Sequence, residues 1–535
     1  ALRGNTTASN NTAVGFQAGY SSVTVSGGTY VGYRAGFSST GGDNTYMGFE
    51  SGQSATSAQS NASFGYRALY SASTGSFNTA IGKETLRNNT TASYNTAVGY
   101  QAGYSNTTGT VNTALGLQTL YNNSTGGYNV AVGGNALENN TTASNNVAIG
   151  YIALQDNTTG TENIAIGTGA LGENTTGNEN VAVGRSALRL NTTAIGNTGV
   201  GSYALNKVTT GNNNTAVGRD TADAITTGIN NSALGYLALS ANTTGSYNVA
   251  IGSEAADTNT TGAGNVAIGH QALETNSTGD YNVAVGYLAL ESSTATDYNV
   301  GVGYRALMNA NGASSCVAIG AFAGDALTTS SGAGNTLVGY NSGTNLTTGN
   351  NNVAVGYAAM DALLLGDRNV AIGSGALGSF ASSGGDNYNT AVGHNAAIDT
   401  TTGTANTVIG GIASGGTTGG SNTTVGYNAG ASLTSGSSNV FVGLSSGAAT
   451  TTGTDNVYVG HSAGQSMTTG SRNVIIGDYN GNEDGLDIRT ANNQIVLSDG
   501  AGNARMHFAS NGRAGINITG PSAMLDISNS GTTTS

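Results

Sequence analysis

The chain contains very little of several residue types that are common in globular domains. Its 535 residues include one proline, one cysteine and no tryptophan, and only 8% are charged. The single cysteine, Cys316, excludes a disulfide framework within the chain. No segment approaches the ~18 consecutive apolar residues of a membrane span, so we expect no membrane insertion. With 86 glycines and no long 3.6-residue apolar period, helical structure is also excluded.

Positive charge is scarce as well. The chain carries 28 acidic against 15 basic side chains, a formal net charge of −13. A polyanion would be repelled by this balance, so nucleic acid is not an expected partner.

What the sequence does contain is one short motif copied along most of its length. A typical copy is NVAVGYLAL at 282–290, and we number its asparagine position 1 and its glycine position 5. The position-5 glycine recurs 28 times between Gly15 and Gly477, and 23 of the 27 intervals are 17 residues. A fixed short period is the signature of a solenoid or a repeat array.

A 17-residue period suits one coil of a parallel β-solenoid, or β-roll, with two short strands and two turns. We predict an all-β chain with a repetitive solenoid of about 28 coils at 1–480 and a C-terminal β-meander and tail at 481–535. The meander is predicted from three alternating segments at 494–498, 504–508 and 513–518, which turn residues separate.

Strand alternation places positions 2 and 4 on one face and position 3 on the other. Position 4 is apolar in every copy, so we expect it to fill the coil and the small position-3 residue to lie at a second interface. Such a coil has a thin core, which favours self-association as a packed or intertwined homotrimer. Position 3 holds only small residues from Ser63 to Ala318 but Tyr30 and Tyr46 earlier, which predicts a coil that widens towards both ends.

Asparagine occupies position 1 in 26 of the 28 copies, and at a constant period these amides should stack in a structural ladder. Cys316 stands in the same slot and is interpreted as an inert substitution. Representative ladder residues are Asn95, Asn112, Asn129, Asn146, Asn248 and Asn282.

Position 6, just after the glycine, is frequently aromatic. These rings could form an exposed stripe that stacks on sugars, or they could pack between coils. The residues of this possible stripe are Tyr33, Tyr66, Tyr100, Tyr151, Tyr236, Tyr287 and Tyr304.

Residues that carry catalysis or bind metals form no recognisable constellation. Three of the four histidines, His270, His394 and His461, share position 6 with the aromatic residues, which indicates an exposed ladder position. We therefore predict no catalytic site, no metal site and no cofactor, and we do not expect an enzyme.

Two segments carry a family resemblance. SNNVAIG at 144–150 resembles the NSVAIG-type motif in the β-roll heads of trimeric autotransporter adhesins, and NTAVGYQAGYSNTTG at 95–109 resembles repeats of phage tail fibres. The block after Gly477 is similar to the region of phage tail fibres that precedes a self-cleaving chaperone. These resemblances imply a homotrimer in the virion or at a cell surface that attaches to a host glycan or protein receptor.

The leading hypothesis is the structural shaft of a phage tail fibre that supports host attachment. A bacterial cell-surface trimeric adhesin head is the first alternative. An extracellular structural filament or an ice-binding solenoid is the second, although adjacent threonines in the TTG turns should point to opposite faces and not form a flat array.

Overall fold

A computed structural model describes residues 2–328, 334–382 and 384–527. These residues form an all-β parallel solenoid of about 28 coils and contain no α-helix, which confirms the predicted fold class. The chain divides into two compact units, 1–265 and 266–535.

Within the first unit every strand has three residues and belongs to one copy of the motif. These strands are β1 Thr12–Val14, β2 Thr29–Val31, β3 Thr45–Met47, β4 Ala62–Phe64, β5 Thr79–Ile81, β6 Thr96–Val98, β7 Thr113–Leu115, β8 Val130–Val132, β9 Val147–Ile149, β10 Ile164–Ile166, β11 Val181–Val183, β12 Thr198–Val200, β13 Thr215–Val217, β14 Ser232–Leu234 and β15 Val249–Ile251.

The second unit continues the pattern and then departs from it. Its strands are β16 Val266–Ile268, β17 Val283–Val285, β18 Val300–Val302, β19 Val317–Ile319, β20 Thr336–Val338, β21 Val353–Val355, β22 Gly366–Asp367, β23 Val370–Ile372, β24 Gly385–Asp386, β25 Thr390–Val392, β26 Thr407–Ile409, β27 Thr423–Val425, β28 Val440–Val442, β29 Val457–Val459, β30 Val474–Ile476, β31 Asn482–Glu483, β32 Leu486–Asp487, β33 Ile495–Ser498, β34 Ala504–Phe508, β35 Ala514–Ile516 and β36 Leu525–Ile527.

Inside each unit the motif strands pair in parallel and in register. In one such pair, Ala148 of β9 aligns with Ala165 of β10, and the flanking residues align with their counterparts in the next copy. Equivalent positions of successive coils are therefore neighbours, and each position forms a column that runs from coil to coil.

The second strand that we predicted for each coil does not occur among the described residues of the first unit. Positions 7 and 9 adopt the left-handed conformation, as Asn135 (φ 59°) and Leu137 (φ 52°) do, and this interrupts an extended segment. The backbone still bonds to the next coil, since the N–H of Leu137 donates to the carbonyl of Ala153 at 3.0 Å. This side of the coil is consequently a hydrogen-bonded turn.

Our assignment of the strand faces was inverted. Ala148 and Ala165 at position 3 are fully buried inside the coil, whereas Ile149 at position 4 is 38% exposed. The reason is that the interior is narrow and also holds the buried leucine of position 9. At Gly301, which stands at position 3, an added Cβ would lie 3.2 Å from Cγ of Leu290. Only a small residue fits beside that leucine, so the branched residues point outward.

The large residues at position 3 are matched by glycine at position 9. Tyr46 is fully buried, and a Cβ on Gly52 of the same copy would lie 2.6 Å from its ring; Tyr458 and Gly464 show the same relation. Burial raises the pKa of the Tyr46 hydroxyl. In these copies the two positions therefore exchange volume inside the coil.

The C-terminal segment begins as one more layer of the solenoid. Strand β33 pairs in parallel with β30, and the N–H of Gln494, in the asparagine slot, donates to Oδ1 of Asn473 at 2.9 Å. Strands β34 and β35 then add antiparallel, as the predicted meander requires, and β36 pairs in parallel with β35. The main sheet thus extends past residue 480, where we placed the domain boundary.

Two adjacent glycines allow a test of whether the coil requires glycine at position 5. Gly133 has φ 126° and a Cβ there would lie 2.7 Å from the carbonyl carbon of Gly150, whereas a Cβ on Gly134 would meet the Tyr151 ring at an ordinary 3.5 Å. We expect Gly133→Ala to lower the free energy of unfolding by about 2–3 kcal/mol and Gly134→Ala to change it by less than about 0.5 kcal/mol. Guanidinium unfolding followed by circular dichroism measures both variants, and equal midpoints would contradict the requirement.

The volume exchange predicts compensation between Tyr46 and Gly52. Tyr46→Ala should cost about 3–5 kcal/mol through the cavity it leaves, and Gly52→Leu alone should be destabilising because the leucine meets the ring. The double variant recreates the alanine–leucine combination of other copies, such as Ala80 with Leu86, so it should be more stable than either single variant. A double-mutant cycle in guanidinium tests this, and simple additivity of the two losses would rule it out.

Candidate functional site

The predicted asparagine ladder is a network of hydrogen bonds inside the solenoid. Oδ1 of Asn146 accepts from the N–H of Asn163 at 2.9 Å, and its Nδ2 donates to the carbonyl of Gly160 at 2.9 Å. One side-chain amide thus bonds both to the backbone of the next coil and to the backbone of its own coil. The other five representative residues, Asn95, Asn112, Asn129, Asn248 and Asn282, are likewise buried and make the same two kinds of bond. These amides serve the fold.

A second asparagine ladder runs at position 12, which the sequence reasoning treated as part of a turn. Nδ2 of Asn123 donates to Oδ1 of Asn106 at 2.9 Å, and Nδ2 of Asn140 donates to Oδ1 of Asn123 at 2.7 Å. Each also donates to the carbonyl three residues on, as Asn123 does to Gly126 at 2.9 Å. The recurrence of asparagine eleven residues after the first one was the signal that could have revealed it.

The threonines of the turns divide between two environments. Oγ1 of Thr141 at position 13 donates to the carbonyl of Thr158 in the next coil at 3.0 Å, and Thr158 repeats this bond to Thr175. Thr142 and Thr159 at position 14 are exposed. One threonine column therefore stabilises the stack and the adjacent column faces solvent.

In each unit the outward side of the motif strands carries a column of apolar residues at position 4, beside a column at position 2 that is mainly valine or threonine. We call the columns at positions 17, 2, 4 and 6 the strand face. In the first unit positions 2 and 4 carry no charged residue, and Ile149, Ile166 and Leu234 are 38%, 37% and 49% exposed. In the second unit Ile319 and Ile372 are 43% and 41% exposed. Exposed apolar residues that follow one another along a surface are typical of an interaction site.

The predicted aromatic residues of position 6 border the strand face, where they are exposed and in places pack between coils. The seven tyrosines Tyr33, Tyr66, Tyr100, Tyr151, Tyr236, Tyr287 and Tyr304 are 40 to 59% exposed. Where neighbours are aromatic the rings stack between coils, as Tyr33 does on Phe49 with centroids 4.9 Å apart and Phe49 on Tyr66 at 5.3 Å. Stacking occupies the ring faces and leaves the edges exposed, so a sugar has no free ring face within this run.

A lysine fills a gap in the same column. Nζ of Lys83 lies 5.9 Å from the ring centre of Tyr66 and 5.6 Å from that of Tyr100. The cation therefore contacts the ring faces that the missing aromatic residue would have covered.

A second aromatic column at position 17 forms the other border of the strand face, and the sequence reasoning missed it. Tyr94 and Tyr298 are both 60% exposed. Phe77 stacks on Tyr94 with centroids 5.0 Å apart, and Tyr281 stacks on Tyr298 at 5.4 Å. The frequent tyrosine just before the position-1 asparagine was the available signal.

The histidines and the cysteine do not gather into one site within the described residues. His270 stacks on Tyr287, and Nδ1 of His461 lies 2.9 Å from the carboxylate of Asp478. Within the described residues no three His, Cys, Asp or Glu side chains gather where they could hold a metal ion. Cys316 is buried in the ladder slot, where its N–H donates to Oδ1 of Asn299 at 3.0 Å and burial raises the pKa of its thiol.

Comparisons add no named relative. No protein-family model matches the chain, and no curated protein matches it either. In the part of the chain that the structure describes, there is no helix with the length and apolarity needed to cross a bilayer.

Removal of one ladder amide should destabilise the stack. Asn146→Ala removes the acceptor of the buried N–H of Asn163 and one of the two side-chain donors to the carbonyl of Gly160, which should cost about 1–3 kcal/mol. Thr142→Ala, at an exposed position four residues away, is the control and should change stability by less than about 0.5 kcal/mol. Denaturant unfolding monitored by circular dichroism separates the two, and an unchanged midpoint for Asn146→Ala would exclude an essential ladder.

Proposed function

We propose that the chain is the structural shaft of a homotrimeric fibre, of the kind found in phage tail fibres, and that it supports attachment of a virion to its host. The observation that carries this proposal is the strand face. A solenoid that is used alone in water gains nothing from valine and isoleucine on its outer surface, whereas a solenoid that packs against copies of itself does.

The size of the strand face supports self-association. A standard interface buries about 800 Å² per partner, and the strand face repeats its outward apolar position over all fifteen motif strands of the first unit. Cyclic symmetry with parallel copies suits a repetitive chain, because every coil then makes the same contact.

The internal hydrogen bonds support a mechanical role. The repeated asparagine and threonine side chains of the first unit bond from coil to coil, so the polar groups that recur most often serve cohesion. Attachment to the host would use a glycan or protein receptor at surfaces other than the strand face. The resemblance of the repeats to adhesin heads keeps a bacterial surface adhesin as the alternative, with the same trimeric assembly.

The mass in solution tests this function. Sedimentation equilibrium should give three times the 52.7 kDa of one chain. Ile149→Lys combined with Ile166→Lys places two charges on the strand face and should shift the protein towards monomer, whereas Thr142→Lys with Thr159→Lys, on the exposed threonine column, should leave the trimer intact.

A monomeric mass for the wild-type chain would contradict the trimer. If both double variants remain trimeric, the strand face is not the trimer interface. Glycan arrays and a glycan-cleavage assay complete the test, since turnover of a glycan would contradict a purely structural role.

A further inference from the structure

The two borders of the strand face carry opposite charges in the first unit. At position 17 the charged residues are Asp43, Glu162 and Glu179, all acidic. At position 6 they are Lys83, Arg185 and Arg219, all basic. All six are exposed, and the columns between them, positions 2 and 4, are uncharged. This separation by sign is notable in a chain with nearly twice as many acids as bases.

Arg219 is paired within its own chain, with Nε 2.9 Å from the carboxylate of Asp220. In the described part of the chain no such ion pair forms at the other five border charges. Glu179 lies two residues before β11 and Arg185 two residues after it, and among the described residues they form no ion pair with each other. Arg185 instead lies over the ring of Tyr203 with its guanidinium 4.6 Å from the ring centre. Both borders therefore present charge to whatever covers the strand face.

We propose that a second copy of this chain covers the strand face in parallel orientation, with the position-17 border of one copy against the position-6 border of the next. Glu179 then faces Arg185 of the neighbouring copy at the same coil. This inference rests on the proposed trimer and specifies which borders meet.

Charge decides the direction of packing because the apolar columns do not. Columns of valine, isoleucine and threonine match one another whether the second copy runs parallel or antiparallel. An antiparallel copy would bring position 17 against position 17 and position 6 against position 6, so that acids oppose acids and bases oppose bases. A parallel copy pairs opposite signs, which attract and also align the coils.

The second unit does not impose this direction. Its position-17 column includes Asp455 together with Arg368 and Arg472, and its position-6 column ends with Asp478. Both signs therefore occur on one border there, and the selection for parallel packing resides in the first unit.

Cross-linking of the full chain tests the arrangement. Glu179→Cys with Arg185→Cys, treated with a short bismaleimide, should give covalent trimers on denaturing gels, because each copy is linked to both neighbours. Either cysteine alone should give monomers. The wild-type chain is the control for Cys316, which is buried. Covalent dimers from Glu179→Cys alone would show like borders in contact and overturn the proposal.

The sedimentation mass distinguishes a failure of the border contact from a failure of the trimer. A trimeric mass with no cross-linked product from the double variant would overturn the border contact and leave the trimer standing. A monomeric mass would overturn both.

A charge exchange provides an independent measurement. Glu179→Lys or Arg185→Glu alone places like charges together and should raise the concentration at which the trimer dissociates about tenfold at low salt. The double exchange restores opposite signs and should return that concentration to within about threefold of wild type. Equal effects of the single and double variants would show that the two residues do not meet.

Discussion

The solenoid depends on the side-chain amide at position 1. A coil of 17 residues must close on itself and also join the next coil, and the amide does both, because it has an acceptor for the next backbone N–H and a donor for a carbonyl of its own turn. Buried amides without partners would each cost free energy, so one copy of the motif is incomplete alone. The parallel, in-register stack is the arrangement in which every copy supplies the partner that its neighbour needs.

The second constraint is the small volume inside each coil. Positions 3 and 9 share this volume. The copy with Ala148 at position 3 buries Leu154 at position 9, and the copy with Tyr46 at position 3 has Gly52 at position 9. Because the interior is already filled, the branched residues of positions 2 and 4 lie outside. The apolar strand face is therefore a consequence of the narrow core, and it gives the protein a surface to cover.

Function follows from repetition along that surface. In the assembly that we propose, a uniform apolar surface would favour contact between copies of the chain but would set no direction, since each coil resembles the next. Departures from uniformity would have to set the direction, and the charges at positions 17 and 6 are such departures. In the same way the stacked aromatic rings contribute cohesion between coils, because their faces contact one another and only their edges reach solvent.

The sequence by itself determined the period, the parallel β-solenoid class, the location of the meander and the identity of the Asn146-type ladder, because these depend on spacing alone. Only the tertiary structure decided which strand face lies inside. Alternation shows that Val147 and Ile149 share one face and that Ala148 lies on the other, but this pattern is symmetric and does not say which face is enclosed. The answer came from Leu154, whose left-handed backbone turns a bulky side chain into the coil, and the sequence pattern gives no sign of that conformation in a leucine. The second ladder at Asn123 was hidden for a related reason: asparagine is common in turns, and its burial depends on the coil that surrounds it.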